Sequence, residues 1–392
     1  MDSGGSDSQA VALKYTKVWD SAIVTFLVAK FKILREPKDC SSVRFSVSIL
    51  VSCRRKINGG SLFAGGVARS LETSEGVRSR GTLRHLHHLL RWSHCPDQQH
   101  GTTTWLSTCK DIRHAFEEFG CFVAVYNKVP IELHKTLFST VKELFDLPLE
   151  VKLKNTSDKP FYGYRGQFGF NPLFESLGID NPTTLERTQS FTELMWPEGN
   201  VRFCKSVLSI TKTIEELNET VIRMLFESYG VEKYADSYIR SMDYLLRAFG
   251  YGVPKENESS VVGANSHADM SLISILYQNL VNGLQIKTKD DEWIDVDLSP
   301  SSFLVLAGDG IMAWSNDRIL HCYHKVMLRT KEARYSLGLF AAINGTIQVP
   351  EELQDEEHPL KYKSFEHFDY FRRVLSEKNM TPKCFLKEYY GV

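Results

Sequence analysis

The chain has 392 residues, of which 42% are hydrophobic and 24% are charged, as in globular proteins that bury a large core. Its formal net charge of −1 excludes the strongly basic composition of many nucleic-acid-binding proteins, and we expect neither a nucleic-acid nor a membrane partner. The eight cysteines include no CxxC pair, so their spacing indicates neither a zinc site nor a small disulfide framework, and we expect reduced thiols in a cytoplasmic protein.

The N-terminal part of the chain, residues 1–103, contains no long periodic element. Residues 1–100 carry fifteen Lys and Arg against eight Asp and Glu, whereas the remainder is acidic, and this shift indicates a boundary near residue 100. The apolar stretch 22–34 is interrupted by two lysines and is too short to span a bilayer. We therefore predict an atypical segment over residues 1–103 that is disordered or poorly packed.

Residues 104–235 are predicted to form a mainly helical part. The spacing of apolar residues predicts helices over 104–120, 132–145 and 203–229, and CFVAVYN between the first two reads as a strand. Residues 159–180 are rich in glycine and aromatic residues. We predict a long irregular loop there, of the kind that often contacts ligands.

Residues 236–392 change to a β pattern that ends in a helix, SFEHFDYFRRVLSEK. Eight short runs rich in branched and aromatic residues are separated by turn residues, which predicts a sandwich or a barrel. The runs are LLRAFGYG, SLISILYQ, GLQIKT, EWIDVDL, FLVLAG, IMAWS, YHKVML and RYSLGLFAAI. With the helices before it, this pattern makes the chain α+β.

Two potential metal ligands, His267 and Asp269, stand two positions apart in VGANSHADMSLISILYQ. Residues two apart on a strand point to the same side, so this imidazole and carboxylate can hold one cation. A third ligand from a neighbouring strand would complete the 2-His-1-carboxylate triad of non-haem Fe(II) oxygenases. His-x-Asp alone is a weak signal, because a histidine hydrogen-bonded to a nearby aspartate for structural reasons is the commoner case.

The stretch 307–340 supplies further candidates. His321 and His324 are three apart and face opposite sides of an extended strand, so only one of them can ligate the metal. We choose His324, because it opens the apolar run YHKVML, whereas His321 lies beside a turn. Arg334 and Ser336 again share one face, and a guanidinium in the apolar run RYSLGLFAAI requires an anionic partner, such as a dicarboxylate that also chelates iron.

These motifs together resemble a known family. Three motifs follow one another: HAD, then HKV with its histidine 55 residues after Asp269, then RYS. Together they are similar to the HxD…H…RxS pattern of 2-oxoglutarate- and Fe(II)-dependent dioxygenases. GDGIMAWSNDRILHCYHKV looks like the plant soluble branch of that family. GYRGQFGFNPLFESLGID looks like the subgroup associated with alkenyl and hydroxyalkyl glucosinolate formation. The resemblance covers roughly residues 104–390.

The resemblance implies a double-stranded β-helix, or jelly roll, framed by helices and spanning residues 236–392. It implies that Fe(II) and 2-oxoglutarate are used with dioxygen to hydroxylate, desaturate or dealkylate a small plant metabolite, with release of succinate and carbon dioxide and with ascorbate as a supporting reductant. No catalytic residue beyond the metal centre is implied. The implied iron ligands are His267, Asp269 and His324, and the implied 2-oxoglutarate-binding residues are Arg334, Ser336 and Tyr251.

Aromatic residues are the candidates for the substrate pocket, although a residue of this kind is more often part of the hydrophobic core than a substrate contact. They are Tyr162, Tyr164, Phe168, Phe303, Phe340 and Phe368. The sequence departs from the family pattern at Ala268, where threonine is usual. It also has no early strand of the type PVIDF, so we expect residues 11–100 to be an unusual insertion and the sheet to lose an edge strand. Two alternatives stay open: an iron oxidase that does not use 2-oxoglutarate, and a non-catalytic degenerate copy.

Overall fold

The computed structural model describes residues 27–33, 45–51, 91–93, 100–168, 171–255, 258, 260–377 and 385–392. The chain divides into two units, Met1–Gly76 and Val77–Val392. In the first unit, β1 (Leu27–Ile33) and β2 (Phe45–Val51) pair in antiparallel orientation. The rest of the prediction for residues 1–103 falls largely on residues outside the described part, and it stays a prediction.

Helices frame the second unit. They are Thr103–Phe119, Ile131–Phe145, Leu149–Lys152, Leu185–Met195, Val201–Ser228, Ala235–Arg240, Asp309–Trp314, His367–Ser376 and Phe385–Tyr390. The helices predicted over 104–120, 132–145 and 203–229 are confirmed, as is the closing helix. The helix Leu185–Met195 was missed, because two of its four buried residues are threonines and its apolar stripe is weak. No helix in the described part of the chain is long and apolar enough to cross a membrane.

Two sheets form the β-rich half of the second unit. The larger, in spatial order, consists of β3 (Arg91–Ser93), β4 (Cys121–Val125), β12 (Ser302–Ala307), β9 (Ile273–Gln278), β14 (Arg334–Ile343), β7 (Met242–Tyr251), β6 (Asn171–Asp180) and β5 (Arg165–Phe168). The smaller consists of β11 (Trp293–Asp295), β10 (Leu284–Lys287), β13 (His324–Leu328) and β8 (Val261–His267). A separate two-stranded pair, β15 (Thr346–Ile347) and β16 (Phe365–Glu366), precedes the closing helix. This arrangement is the predicted jelly roll.

Both faces of the larger sheet are covered. Along β12, Phe303 and Val305 belong to the core that the helices share, whereas Leu304 and Leu306 belong to the core that includes residues of the smaller sheet. Alternate residues of a strand point to opposite faces, so a strand that is buried on both sides is apolar throughout, as FLVLAG is. Packing on both faces therefore holds the strands of the larger sheet in place, and with them the side chains that point towards the smaller sheet.

One edge of the larger sheet differs from expectation. We expected the sheet to lose an edge strand, but β3 pairs in parallel with β4 at that edge. The other strand pairs of this sheet are antiparallel. Three residues are too few to show a strand period, which is why the pattern gave no sign of β3.

Two predicted elements are wrong. IMAWS lies in the helix Asp309–Trp314, all six residues of which are buried. A short apolar run is compatible with a buried helix as well as with a strand, and here the helix forms. The predicted loop over 159–180 contains β5 and β6, and β6 pairs with β7 along seven residues. Glycine and polar residues between the apolar positions of β6 masked its strand pattern.

Candidate active site

Three side chains converge where β8 and β13 lie side by side. His267 ends β8, His324 begins β13, and the two are cross-strand partners with ring centroids 4.3 Å apart. Asp269 follows the end of β8 instead of lying on the strand as predicted. Its Oδ1 is 3.7 Å from Nε2 of His267 and 3.9 Å from Nε2 of His324. One ligand atom from each residue lies within 4.8 Å of the others, so a single ion can contact all three.

The backbone orients both imidazoles towards this point. Nδ1 of His267 donates to the carbonyl of Asn265 at 2.8 Å, and Nδ1 of His324 donates to the carbonyl of Cys322 at 3.2 Å. A carbonyl oxygen only accepts, so the proton is on Nδ1 and the Nε2 lone pair is available to a metal. Burial, reinforced by His267, lowers the pKa of His324 to about 4, which keeps it neutral near pH 7.

The carboxylate completes a donor set that fits a divalent cation. Asp269 is 9% exposed, and its Oδ2 has no hydrogen-bond partner among the described residues. A buried carboxylate oxygen without a partner is costly, and a metal ion would remove that cost. Two imidazole nitrogens and one carboxylate, with further positions left open, are the donors of a non-haem Fe(II) site.

A small cavity of about 120 Å³ joins this point to Arg334. Arg334 is only 3% exposed, its Nη1 donates to Oγ of Ser336 at 2.9 Å, and its Nη2 donates to Oε1 of Gln278 at 2.7 Å. Its guanidinium carbon lies 5.2 Å from the ring centroid of Tyr251. Within the described part of the chain no carboxylate pairs with Arg334, and its Nε is buried without a partner. A ligand carboxylate fits this environment.

The register of the larger sheet brings these residues together. Arg334 on β14 lies opposite Tyr251 on β7, and Ser336 lies opposite Gln278 on β9. Sequence reasoning found Arg334, Ser336 and Tyr251 but missed Gln278. A polar residue at the end of the run SLISILYQ resembles an ordinary strand end, and only the pairing of β9 with β14 reveals its contact.

A larger cavity of about 700 Å³ lies on the other side of the metal ligands. The walls common to both cavities are Phe174, Phe249, Ala264, His267, Asp269 and Phe340. Of the six aromatic candidates for the substrate pocket, Tyr162 and Phe340 line this cavity. His267 and Asp269 thus stand between a small cavity with a buried arginine and a larger, mostly apolar one, and His324 lines the small cavity.

Three of the aromatic candidates lie elsewhere. Phe303 is completely buried in the helix-side core, with its ring centroid 4.8 Å from that of Tyr277. Tyr164 and Phe368 pack against the same core and line neither cavity. The side chain of Phe168 falls outside the described part of the structure. Aromatic residues are common in the core, and their positions in the sequence do not distinguish a core face from a cavity wall.

His321, which was not predicted to bind the metal, has another partner. Nδ1 of His321 is 2.6 Å from Oδ1 of Asp309, and Oδ2 of Asp309 accepts from the hydroxyl of Tyr370 at 2.6 Å. All three residues line the larger cavity. His321 is therefore held by Asp309 and is not one of the three converging donors.

The jelly roll and its two-histidine, one-carboxylate cluster are those of a non-haem iron oxygenase. Residues 242–342 match the 2OG-Fe(II) oxygenase superfamily, and residues 96–175 match a family described as non-haem dioxygenase in morphine synthesis N-terminal. The chain belongs to the 2OG-Fe(II) oxygenase superfamily. It is a 2-oxoglutarate-dependent dioxygenase whose cofactor is Fe(II) and whose cosubstrate is 2-oxoglutarate.

Relatives support this assignment over most of their length. "Probable 2-oxoglutarate-dependent dioxygenase AOP1.2" of Arabidopsis thaliana is 39% identical over 296 residues, which are 74% of this chain and 91% of the relative. "2-oxoglutarate-dependent dioxygenase AOP2" of the same plant is 28% identical and is covered over 95% of its length. The solved structure of the rice dioxygenase for auxin oxidation superposes with a TM-score of 0.64 at 26% identity, covering 74% of this chain and 97% of that one. The predicted resemblance to plant members of the family is confirmed.

Proposed function

We propose that His267, Asp269 and His324 bind the ferrous ion, that Arg334 and Ser336 bind the far carboxylate of 2-oxoglutarate, and that the larger cavity receives the organic substrate. The observation that carries this proposal is that His267 and Asp269 line both cavities, while His324 lines the small one beside them. A substrate in the larger cavity and a cosubstrate in the smaller would then meet at one ion.

Iron and 2-oxoglutarate, when bound, would supply the chemistry by which dioxygen hydroxylates, desaturates or dealkylates the substrate, while the cosubstrate is converted to succinate and carbon dioxide. The side chains supply binding and orientation. Gln278 and Ser336 hold the guanidinium of Arg334 in one position, so that it can bind a carboxylate without changing its conformation. The rings of Phe249 and Phe340 line both cavities and exclude water from the reacting atoms.

A small metabolite suits the substrate cavity. Its volume of about 700 Å³ lies within the range of small-molecule sites, roughly 300–1,000 Å³. The relatives named above are plant proteins. The substrate is accordingly a small plant metabolite that presents a C–H bond to the iron.

The chain's compartment is inferred from its thiols. Cys109, Cys121, Cys204 and Cys322 are free, as in proteins of a reducing compartment. We infer a cytoplasmic location, which a fluorescent fusion imaged in plant cells would test. Signal confined to a secretory compartment would contradict it.

Iron content tests the ligand assignment independently of any substrate. After anaerobic reconstitution with Fe(II) and desalting, we expect about one iron per wild-type chain and a loss of most of it in His324→Ala. His321→Ala is the matched control, since it removes a histidine three residues away that is already held by Asp309. The opposite result, with iron lost from His321→Ala and kept by His324→Ala, would overturn the assignment.

The same preparations test the use of 2-oxoglutarate. We expect the wild-type protein to form succinate slowly in the presence of Fe(II), 2-oxoglutarate and dioxygen, even without an organic substrate. The His324→Ala variant should form none above background. Full iron content with no succinate from the wild type would instead favour an oxidase that does not use 2-oxoglutarate. A circular dichroism melt of each variant verifies that it is folded.

A further inference from the structure

Two arginines line the larger cavity outside the residues assigned to iron and 2-oxoglutarate. Arg165 begins β5 and is half-buried, and Arg247 lies on β7 and is only 6% exposed. Sequence reasoning did not single out either residue. The pattern that identified Arg334, an arginine within an apolar strand, is nevertheless also present at Arg247, which lies in LLRAFGY.

The sheet leaves a place for the Arg247 side chain. Its two neighbours in register are glycines, Gly178 on β6 and Gly338 on β14. A Cβ added at Gly178 would lie 2.1 Å from the carbonyl oxygen of Tyr162, so the chain around residues 161–163 passes directly over this point. The guanidinium of Arg247 therefore occupies a slot between two strands and beneath a loop.

Neutral acceptors hold the guanidinium of Arg247 in that slot. Nη1 donates to the carbonyl of Phe161 and to that of Gly163 at 3.2 Å, and Nη2 donates to Oγ of Ser176 at 2.5 Å. Arg165 is placed against an aromatic ring, with its guanidinium carbon 4.6 Å from the ring centroid of Phe161. These contacts fix the positions of both groups, but none of them carries a negative charge.

The positive charges have no counterion in the described part of the chain. The carboxylates on the adjoining strands pair with lysines: Glu175 with Lys152, and Asp180 and Asp243 with Lys159. Burial, and then the charge of Arg165, lower the pKa of Arg247 to about 9. Burial also lowers the pKa of Arg165. Two neighbouring cations in a mostly apolar cavity are unfavourable unless an anion joins them.

We propose that the organic substrate carries an anionic group, a carboxylate, sulfate or phosphate, that binds to Arg165 and Arg247. Guanidinium forks suit all three oxyanions, and charge-assisted hydrogen bonds are the strong ones. The inference rests on the proposed function in one respect only, namely that the substrate occupies this cavity.

The anion site is separate from the 2-oxoglutarate site. Arg247 is four residues before Tyr251 on β7, and Tyr251 lies opposite Arg334. At about 3.3 Å per strand residue, the two arginines anchor positions roughly 13 Å apart along the sheet. One small diacid in the small cavity therefore leaves Arg165 and Arg247 for a second ligand.

The test uses the full-length protein loaded with Fe(II) and 2-oxoglutarate and held under argon, so that the Arg334 site is filled and no turnover occurs. The probes are 2-naphthoate, 2-naphthyl sulfate and 2-naphthyl phosphate, with neutral 2-naphthol and 2-naphthamide as matched ligands. Dissociation constants are measured by calorimetry. We expect at least one anionic probe to bind about tenfold or more tightly than its neutral counterpart, and the best of the three identifies the oxyanion.

Arg165→Gln separates recognition from folding, because this side chain is half-buried and its one described contact is a ring face. We expect the variant to lose the preference for the anionic probe by roughly tenfold or more and to bind 2-naphthol as before. Arg247→Gln, whose amide can still donate to the loop carbonyls, should behave alike if its melting curve shows a folded protein. Arg187→Gln makes the same charge change on the exposed face of the helix Leu185–Met195 and should have no effect.

Two outcomes would overturn the inference. One is a wild-type protein that does not distinguish the anionic probes from the neutral ones. The other is an anion preference that survives in both Arg165→Gln and Arg247→Gln. Iron content and substrate-free succinate formation are measured on the same variants and should be unchanged in Arg165→Gln. A failure of the proposed iron and 2-oxoglutarate sites would therefore appear separately from a failure of the anion site.

Discussion

At the scale of single residues, two buried polar atoms that lack a hydrogen-bond partner lie in the active site. Oδ2 of Asp269 and Nε of Arg334 have no hydrogen-bond partner among the described residues, and both residues line the small cavity. A protein rarely leaves such atoms unpaired in its core. Each is therefore better explained by a ligand, a cation at Asp269 and an anion at Arg334, than by packing.

Gln278 is expected to position Arg334 for the cosubstrate. Replacing it in Gln278→Leu removes the acceptor that holds Nη2, so the guanidinium is no longer oriented for the carboxylate and the binding of 2-oxoglutarate weakens by about 1–3 kcal/mol. We expect the KM for 2-oxoglutarate, measured by succinate formation, to rise roughly tenfold to a hundredfold while iron content stays the same.

Gln285→Leu is the matched control for that substitution. Gln285 is also buried, but it donates to Asp295 at 2.9 Å within the smaller sheet and lines neither cavity. Its replacement should leave the KM for 2-oxoglutarate unchanged. A KM that does not move in Gln278→Leu would show that Arg334 does not need this partner.

The spacing of residues identified the iron and cosubstrate candidates but not the rest of the site. Arg334 and Ser336 are two apart on one strand, and period-two alternation predicts that they share a face. Arg247 and Gln278 are brought to the two cavities by the pairing of strands that are distant in sequence, which local periodicity does not reveal.

At the scale of secondary structure elements, His367 joins the closing helix to the jelly roll. Its Nδ1 accepts from the backbone N–H of Ile343 at the end of β14, at 3.0 Å. Its Nε2 donates to the carbonyl of Met270 at 2.8 Å, one residue after Asp269. The side chain is completely buried, and burial lowers its pKa from 6.5 to about 4. The helix that it anchors supplies Tyr370, Phe371 and Val374 to the larger cavity.

This histidine should make stability depend on pH. Between about pH 4 and 6.5 the unfolded chain binds a proton at His367 that the folded chain does not, so stability is complete above pH 6.5 and falls as the pH decreases through this window. The loss reaches about 3 kcal/mol at the lower end. Urea unfolding from pH 5 to 7.5 measures it.

The comparison that isolates His367 is with His367→Gln, which is expected to be less stable at pH 7 but to lack this part of the pH dependence. His114→Gln, at an exposed position of the helix Thr103–Phe119, serves as the control for the substitution itself and should keep the wild-type slope. Equal slopes in the wild-type protein and His367→Gln would assign the pH dependence to other groups.

Elements were predictable where a long stripe or alternation persisted. The helix Val201–Ser228 buries Ile210, Ile214 and Leu217 at helical spacing, and the prediction for it was confirmed. IMAWS and β6 were not predictable for opposite reasons. IMAWS is apolar on every side because the helix Asp309–Trp314 is buried on every side. The strand pattern of β6 is interrupted by Gly178, where the chain around Tyr162 crosses the strand.

At the scale of the whole molecule, both cavities and the three donors lie in the unit Val77–Val392. The two family matches, to residues 96–175 and 242–342, also fall within it. A deletion of residues 1–76 keeps β3, and with it the edge of the larger sheet beside β4. We expect this deletion variant to retain one iron per chain and substrate-free succinate formation close to the wild-type level.

A longer deletion is the informative comparison for that prediction. Removing residues 1–99 also removes β3 and exposes the edge of β4, so the melting temperature should fall by several degrees, the shift expected for about 1–2 kcal/mol in a large domain. Loss of iron binding on removal of residues 1–76 alone would mean that the first unit is required for the site.

The fold class could be predicted because the change from helical to strand periodicity is visible along the chain. The order of the strands within a sheet is not visible in the sequence in this way. The pairing of β14 with both β7 and β9 brings together Arg334, Tyr251 and Gln278 at the proposed cosubstrate site, and it joins residues separated by more than fifty positions. Such pairings depend on the burial of whole faces, and several alternatives satisfy any one strand's pattern.

Arg247 stands on the larger sheet, and the donors His267 and His324 stand on the smaller one. The two sheets share a core, so the distance from Arg247 to the iron ligands cannot adjust to the substrate. A molecule tethered by its acidic end to Arg247 would reach the iron with whichever carbon lies at the matching distance. In a series of acids of increasing chain length, oxidation would then stay at a constant number of bonds from the acid group instead of following the free end. The packing of the two sheets would then determine which carbon is oxidised, so regioselectivity would be a property of the fold.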